Sequence, residues 1–327
     1  MDLPTVWFVA IAVLWTGYFV LEGFDFGVGM LLPALGRHRG TALKAIGPVW
    51  DGNEVWLITA IGAMFAAFPA WYGATLSGFY VPVLLVVLAL IVRGVALEYR
   101  GKAPRSEGGA GVDTAGEQWR ARCDLGIVVG SAVPAFVWGL VFANLVRGVE
   151  LGADGVVTSS PADLLNPYAL LGGLVTLTLF ALHGAVFVAL KTDGPARFLG
   201  RALVKRLAPV AVVALAVFLA QTAAGWVTVV VVGLLVAAAL LAVRGREGWA
   251  FVAAAVTIAA LTVVIFGSLY PAVLPSLTDP AFDLTVANAA SGPYTLTLLS
   301  WVGGIFLPVV IAYQSWSYWV FRRRVTA

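Results

Sequence analysis

Long apolar stretches separated by short polar segments run from one end of the chain to the other. A helix needs about 20 mostly apolar residues to cross a bilayer, and the pattern supplies about nine segments of that length. We therefore predict an all-α polytopic membrane protein in which all 327 residues form a single transmembrane domain. The predicted spans are residues 5–32, 52–71, 76–99, 123–147, 166–190, 207–224, 226–243, 249–270 and 293–321.

Composition supports a membrane protein. Hydrophobic residues make up 61% of the chain and charged residues 11%, and the mean hydropathy is +0.95. The hydrophobic share and the mean hydropathy are higher, and the charged share is lower, than in a typical soluble protein. The single cysteine, Cys123, excludes an internal disulfide and is interpreted as a small packing residue. The first apolar segment carries two acids and is followed by no A-x-A site, so we expect it to remain a transmembrane helix.

Basic residues are concentrated on one side of the nine-span arrangement. Of the 20 lysines and arginines, all but Arg93 and Arg147 follow the first, third, fifth, seventh or ninth span. The positive-inside rule then places the C-terminus in the cytoplasm and the N-terminus outside. Only an odd number of spans keeps these segments together, so the charge pattern also supports nine. We expect lipids and no nucleic acid among the partners.

Acidic side chains are predicted to gather in the cytoplasmic half of the first spans. Glu22 and Asp25 lie three residues apart in the first span, and Asp51 and Glu54 do so in the second, so each pair shares a helix face. Ionisable groups inside a membrane cost roughly 2.5–3.5 kcal/mol each and therefore suggest function. Arg93 in the third span is the candidate counter-charge. Two further acids at this level are Glu98 and Asp124.

The residues alone leave three interpretations of these acids open. They could be structural, with Arg93 pairing one acid and the others capping helix ends, as Pro48 and the acids after it would suit. They could be a proton path, which is favoured because one arginine cannot neutralise four carboxylates. The chain could also be a proton-coupled transporter, although it lacks a matched pair of Gly/Pro-broken helices.

Side chains able to ligate a metal are scarce, and we predict no metal site in this chain. It has two histidines, His38 and His183, and three methionines. Haem iron is usually held by His, Met or Cys, and His183 is the candidate within a span. A lone histidine in a span more often forms a hydrogen bond with a neighbouring helix.

The segment WDGNEVWL at residues 50–57 resembles subunit II of the bacterial cytochrome bd quinol oxidases. The segment EGFDFGVGML at residues 22–31 resembles the first-helix signature of the same family. The resemblance continues in order over nearly the whole chain. Further matching segments are SGFY at 77–80, the Arg93 helix, GSAVP at 130–134, LNP at 165–167, residues 270–276 and residues 289–319.

The resemblance implies a terminal oxidase of the respiratory chain that oxidises quinol, reduces dioxygen to water and takes its protons from the cytoplasm. Two b-type haems and one d-type haem are then expected in a partner subunit I. Subunit II would form a heterodimer with it in the bacterial cytoplasmic membrane as a helical scaffold. In some family members it also provides a proton route and a tightly bound quinone. Small single-helix accessory subunits are a further expectation.

Site roles follow from the resemblance and the acid pattern together. We expect no catalytic residue in this chain. Asp51 is assigned as the first proton acceptor, followed by Asp25 and Glu22. Glu54 and Asn53 would hold a water chain or cap the helix. The supporting residues are Arg93, Glu98, Trp50 and Trp56.

Overall fold

The computed structural model describes residues 2–103 and 114–326, which form a bundle of helices. The helices are α1 (Leu3–Met30), α2 (Leu32–Leu35), α3 (Arg39–Ile46), α4 (Trp50–Ala67), α5 (Pro69–Gly78), α6 (Tyr80–Tyr99), α7 (Thr114–Arg147), α8 (Pro167–Lys191), α9 (Gly194–Thr222), α10 (Gly225–Val243), α11 (Glu247–Leu269) and α12 (Pro293–Val320). A two-stranded antiparallel hairpin, β1 (Ala272–Leu274) and β2 (Leu284–Thr285), lies between α11 and α12.

The helical membrane class is confirmed. Within the described residues, eight helices are long and apolar enough to cross a membrane. They are α1 and each of the seven helices from α6 to α12. Two of them begin a full turn or more before the predicted residue, α7 at Thr114 and α9 at Gly194. Hydropathy identifies only the part of a helix inside the bilayer, whereas the backbone hydrogen-bond ladder continues into the polar region beyond it.

The predicted spans 52–71 and 76–99 are divided differently in the structure. The first helix of this region, α4, ends at Ala67, and α5 begins at Pro69. Phe68 between them has φ −137° and ψ 68°, outside the helical region. A residue that precedes proline is disfavoured in the α conformation, which explains the break. α5 then turns the chain at the bundle end before α6 begins at Tyr80.

α4 is not one of the eight candidate spans, yet it crosses the bundle. Near its start, the Asn53 Oδ1 atom accepts a hydrogen bond of 2.7 Å from the Tyr318 hydroxyl at the far end of α12. At its end, the Ala67 carbonyl accepts one of 2.8 Å from the Ser291 amide, just before α12 starts. Its 18 residues extend about 27 Å, close to the thickness of a hydrocarbon core. Within residues 2–103 and 114–326, α4 therefore runs between the two ends of the bundle in addition to the eight candidate spans.

α1 is the central helix of the bundle and packs against α4, α7, α8 and α11. Its contact with α7 is aromatic: the Trp15 ring lies 4.9 Å from the Trp138 ring in an edge-to-face arrangement. The Trp138 Nε1 group also donates a 3.2 Å hydrogen bond to the Tyr18 hydroxyl. Buried aromatic rings of this kind add directional contacts to the apolar area that they remove from lipid.

α1 and α8 touch through their backbones at Gly27 and Gly184. A Cβ atom on Gly27 would lie 2.0 Å from the Phe180 carbonyl oxygen, and one on Gly184 would lie 2.3 Å from the Gly27 carbonyl carbon. Small residues allow this close approach, which drives helix association where lipid replaces water. Phe180 also covers Gly23, the other member of the Gly-x-x-x-Gly spacing.

Ion pairs join the helix ends at the arginine-rich end of the bundle. Asp124 in α7 accepts from Arg39 Nη1 at 2.7 Å and from Arg100 Nε at 2.5 Å. Glu247 at the start of α11 pairs with Arg197 at 2.9 Å and also with Arg201. The basic segments therefore lie together on one face, and Asp124 and Glu247 offset part of their positive charge.

We expect Gly27→Ala to destabilise the protein by about 1–3 kcal/mol, because the added methyl meets backbone atoms that cannot rotate away. The measurement is the melting temperature of the purified complex, followed by tryptophan fluorescence. Gly62→Ala in α4 is the matched control, since no atom lies within 4 Å of its added Cβ. Equal melting temperatures for the two variants would contradict the proposed packing.

Candidate functional site

A buried ion pair links α1 to α6. Glu22, Asp25 and Arg93 are all fully buried. The Arg93 Nη1 group donates a hydrogen bond to Glu22 Oε1, and the guanidinium carbon lies 4.8 Å above the centre of the Phe26 ring. A guanidinium in a low-dielectric interior needs both an opposite charge and hydrogen-bond acceptors. The pair therefore fixes how α1 and α6 align.

Asn53 connects α1, α4 and α12 through its amide. Its Nδ2 group donates a 2.7 Å hydrogen bond to Asp25 Oδ2. Its Oδ1 atom accepts from the Tyr318 hydroxyl at 2.7 Å and from Gln314 Nε2 at 3.1 Å. The Trp56 Nε1 group donates to Gln314 Oε1 at 2.6 Å. We call these five residues the Asn53 network.

Several polar atoms of this region make no hydrogen bond with the described protein groups. They are Glu22 Oε2, Asp25 Oδ1, and Nε and Nη2 of Arg93. Buried polar atoms are normally paired, and an unpaired one costs about 1–3 kcal/mol or more if charged. Each carboxylate thus has one oxygen held by the protein and one available for a proton or a water molecule.

The acids of α4 lie between this buried cluster and the surface. Asp51, in the first turn of α4, is exposed, and Glu54 is half-buried. Glu54 is close enough to be attracted by Arg93 and repelled by Asp51. It also repels the carboxylate of Asp25. Burial therefore increases from Asp51 through Glu54 to Asp25.

Two other predicted acids lie outside the cluster. Glu98 is exposed and forms a 3.0 Å ion pair with Lys102. It follows Arg93 by five residues, which turns it about 140° around α6 and away from the cluster. Asp124 is engaged by Arg39 and Arg100 as described above. Trp50, the other predicted supporting residue, packs against α6, 3.9 Å from where a Cβ on Gly94 would lie.

The sequence analysis missed two members of the Asn53 network, Gln314 and Tyr318. They lie four residues apart, so they share one face of α12. Polar side chains repeated at this spacing in an apolar span were the available signal. Their contact with Asn53, more than 260 residues away, follows only from the packing of α12 on α4.

His183 on α8 forms a contact between helices. Its Nε2 atom lies 3.2 Å from the Val20 carbonyl oxygen, and the buried ring stacks 4.6 Å from the Phe251 ring. Phe24 lies edge-on at 5.9 Å. The surroundings are thus already filled by protein. In the described parts of the chain, no group of three or more His, Cys, Asp or Glu side chains is arranged to hold a metal ion.

These features define an integral membrane protein with a buried carboxylate–arginine cluster reached from the arginine-rich end. The sequence model of the family described as cytochrome bd terminal oxidase subunit II matches residues 3–321, and the chain belongs to that family. It is 40% identical to cytochrome bd ubiquinol oxidase subunit 2 of Bacillus subtilis (strain 168), over 99% of this chain and 97% of the relative.

A second relative and a solved structure extend the comparison. The chain is 32% identical to cytochrome bd-I ubiquinol oxidase subunit 2 of Escherichia coli (strain K12), over 99% of this chain and 95% of the relative. It also shares the fold of a chain in the structure of the bd oxidase from Geobacillus thermodenitrificans. The TM-score is 0.72 at 19% identity, covering 98% of this chain and 99% of that chain.

We expect Arg93→Gln to destabilise the protein by about 3–5 kcal/mol, because it leaves the Glu22 carboxylate buried without its counter-charge. The double variant Glu22→Gln/Arg93→Gln should recover part of that loss, since both charges are then removed. Unfolding in mixed detergent micelles would measure the free energies. Lys102→Gln, which removes an exposed ion pair with Glu98, should cost at most about 1 kcal/mol. An Arg93→Gln protein as stable as Lys102→Gln would refute this assignment.

Proposed function

We propose that this chain is the haem-free subunit II of a bd-type quinol:oxygen oxidoreductase in a bacterial cytoplasmic membrane. The observation that carries the proposal is the family match over residues 3–321, together with the full-length relatives named as subunit 2 of such oxidases. These comparisons favour the oxidase over the transporter interpretation. No activity is expected from this chain alone.

The haems of the enzyme are assigned to a partner subunit I, two of b type and one of d type. Haem groups supply electron transfer and oxygen reduction, but the side chains here do not fit a haem site. His183 is packed against Phe251 and bonded to the Val20 carbonyl. The sulfur of Met64 accepts a hydrogen bond from Trp15 Nε1 at 3.5 Å within the aromatic core. Electron transfer and oxygen reduction are therefore assigned to subunit I.

We propose that the arginine-rich end faces the cytoplasm, with the N-terminus outside. The support is the clustering of the basic segments on one face of the bundle, where Arg39, Arg100, Arg197 and Arg201 form ion pairs. Lysine and arginine in short segments next to spans are retained on the cytoplasmic side. This orientation brings the exposed Asp51 to the cytoplasmic surface.

We propose a proton uptake route that follows the increase in burial. Asp51 accepts a proton from cytoplasmic water, and Glu54 receives it at the edge of the bundle. Glu22 and Asp25 form the buried end of the route, where their unpaired oxygens can take up the proton. Carboxylates inside a membrane are costly, so a route of this kind is their expected use.

Arg93 and Asn53 act as positioning residues in this proposal. Arg93 balances one negative charge of the buried carboxylates and holds one oxygen of Glu22 in place, which leaves the other oxygen of Glu22 for the proton. Asn53 donates to one oxygen of Asp25 and leaves the other free. An amide does not exchange protons readily, so Asn53 fixes geometry while the carboxylates carry the protons.

We propose that subunit I covers the face formed by α4, α6 and α12. α12 is almost entirely exposed in the isolated chain. Glu54 opens into an otherwise apolar groove of about 520 Å³ between α4 and α6, lined by Ile58, Phe65 and Ile91 among others. A carboxylate facing hydrocarbon is unfavourable, whereas a protein partner can supply polar groups or water.

We expect Asp51→Asn to lower quinol oxidase turnover of the intact complex by about tenfold or more, because the first proton acceptor is lost. Oxygen consumption with a saturating quinol measures turnover, and proton uptake in reconstituted vesicles measures the coupled step. Glu117→Gln is the matched control, an exposed acid at the same end of the bundle, and it should retain turnover.

A purely structural role for the acids gives the opposite pattern. Asp51→Asn and Asp25→Asn would then reduce the yield of assembled complex while each assembled complex turned over normally. Full turnover and full proton uptake in Asp51→Asn would remove Asp51 from the route.

The assignment of all haems to subunit I has its own test. An affinity pull-down of this chain from solubilised membranes should bring a second large subunit with b- and d-type absorption bands. His183→Gln should leave band positions and haem-to-protein ratio unchanged, because glutamine can still donate to the Val20 carbonyl. Loss of one b-type band in His183→Gln would contradict the assignment, and elution of a colourless single chain would contradict the partnership.

A further inference from the structure

An amphipathic pocket lies at the arginine-rich end of the bundle, between α3, α8, α11 and the segment that follows α12. Its volume is about 290 Å³, and we call it the C-terminal pocket. Apolar side chains form most of its wall, among them Val49, Phe187, Phe251 and Phe321. Tyr318, whose hydroxyl donates to Asn53, forms one part of its wall. The pocket is distinct from the groove between α4 and α6 into which Glu54 opens.

Two cations of this pocket have no carboxylate partner among residues 2–103 and 114–326. Lys191 Nζ donates to the carbonyl oxygens of Phe321 and Arg323, the latter at 3.0 Å. Arg322 Nη1 donates to the Trp319 carbonyl at 2.6 Å, and its guanidinium lies 4.3 Å above the Trp319 ring. An ammonium has three N–H groups and a guanidinium five, so both retain unused donors.

The acids near the pocket are already engaged by other cations. Asp193 accepts from Arg324 at 3.0 Å, and Glu247 is held by Arg197 and Arg201. Among the residues that the structure describes, these contacts bring five cations and two carboxylates to the pocket and its border, an excess of three positive charges. The cations are Lys191, Arg197, Arg201, Arg322 and Arg324, and the carboxylates are Asp193 and Glu247.

The residues around the pocket are of the types that concentrate at the depth of lipid headgroups. Trp316, Tyr318 and Trp319 occupy the last turns of α12, and arginines follow at 322–324. Tryptophan and tyrosine concentrate at membrane–water interfaces, with basic residues just beyond them. The apolar wall of the pocket is then on the membrane side and the free donors are on the water side.

We propose that the C-terminal pocket binds one anionic phospholipid. The phosphate contacts Lys191 and Arg322, and the first part of an acyl chain packs on Phe187 and Phe251. Charge-assisted hydrogen bonds recognise the phosphate, and basic pockets between transmembrane helices suit such headgroups. A free phosphate would use the cations and leave the apolar wall uncovered, so the lipid fits the pocket better. The binding does not depend on the proton route.

The test is photo-crosslinking of the purified complex in phosphatidylcholine nanodiscs that contain a trace of photoreactive phosphatidylglycerol. We expect labelled peptides from the C-terminal ends of α8 and α12. Lys191→Gln/Arg322→Gln should lower this labelling roughly thirtyfold, at about fivefold for each cation removed. Arg244→Gln/Arg246→Gln is the matched control, with the same charge change on the same face outside the pocket, and should retain the labelling.

A third variant and a competitor complete the design. Arg322→Gln alone changes an exposed side chain and should lower labelling about fivefold even if the loss of Lys191 loosens the chain end. Excess inorganic phosphate should not displace the lipid beyond the effect of chloride at equal ionic strength. The proposal is overturned by equal labelling with photoreactive phosphatidylcholine, by equal loss in both double variants, or by displacement with inorganic phosphate.

Discussion

The burial of Arg93 against Glu22 constrains the whole first half of the bundle. A guanidinium at membrane depth cannot be left without its counter-charge, so α1 and α6 must meet at one register. α7 completes the enclosure at Gly130, where a Cβ atom would lie 2.6 Å from the Arg93 Cβ. The absence of a side chain at this position lets three helices close around one charge.

The Asn53 amide extends this constraint to the last helix. α12 is almost unburied in the isolated chain, yet Gln314 and Tyr318 both donate to Asn53. The helices α1, α4 and α12 are therefore joined through the hydrogen bonds of Asn53. The same residues border the face proposed for subunit I, so assembly with the partner and the geometry around Asp25 are physically linked.

Much of the architecture could be predicted from local sequence. Hydropathy identified the spans because each must present apolar side chains to lipid over a fixed length. It could not locate the break at Phe68 or the polar extensions of α7 and α9, since those depend on backbone geometry outside the hydrocarbon.

In the site, the residue spacing placed Glu22 with Asp25 and Asp51 with Glu54 on shared helix faces. The same reasoning grouped Glu98 with them, but the rotation of α6 directs it to solvent beside Lys102.

The sequence by itself therefore determined the membrane class, the segregation of basic residues and the family, because these depend on composition and short motifs. Only the tertiary structure decided which charged group meets which: Arg93 with Glu22, Asn53 with Asp25, and Tyr318 with Asn53. It also showed the exposed position of Asp51 and the pocket behind Lys191. The physical reason is that burial and pairing depend on the rotation and separation of helices far apart in the chain, which no local pattern encodes.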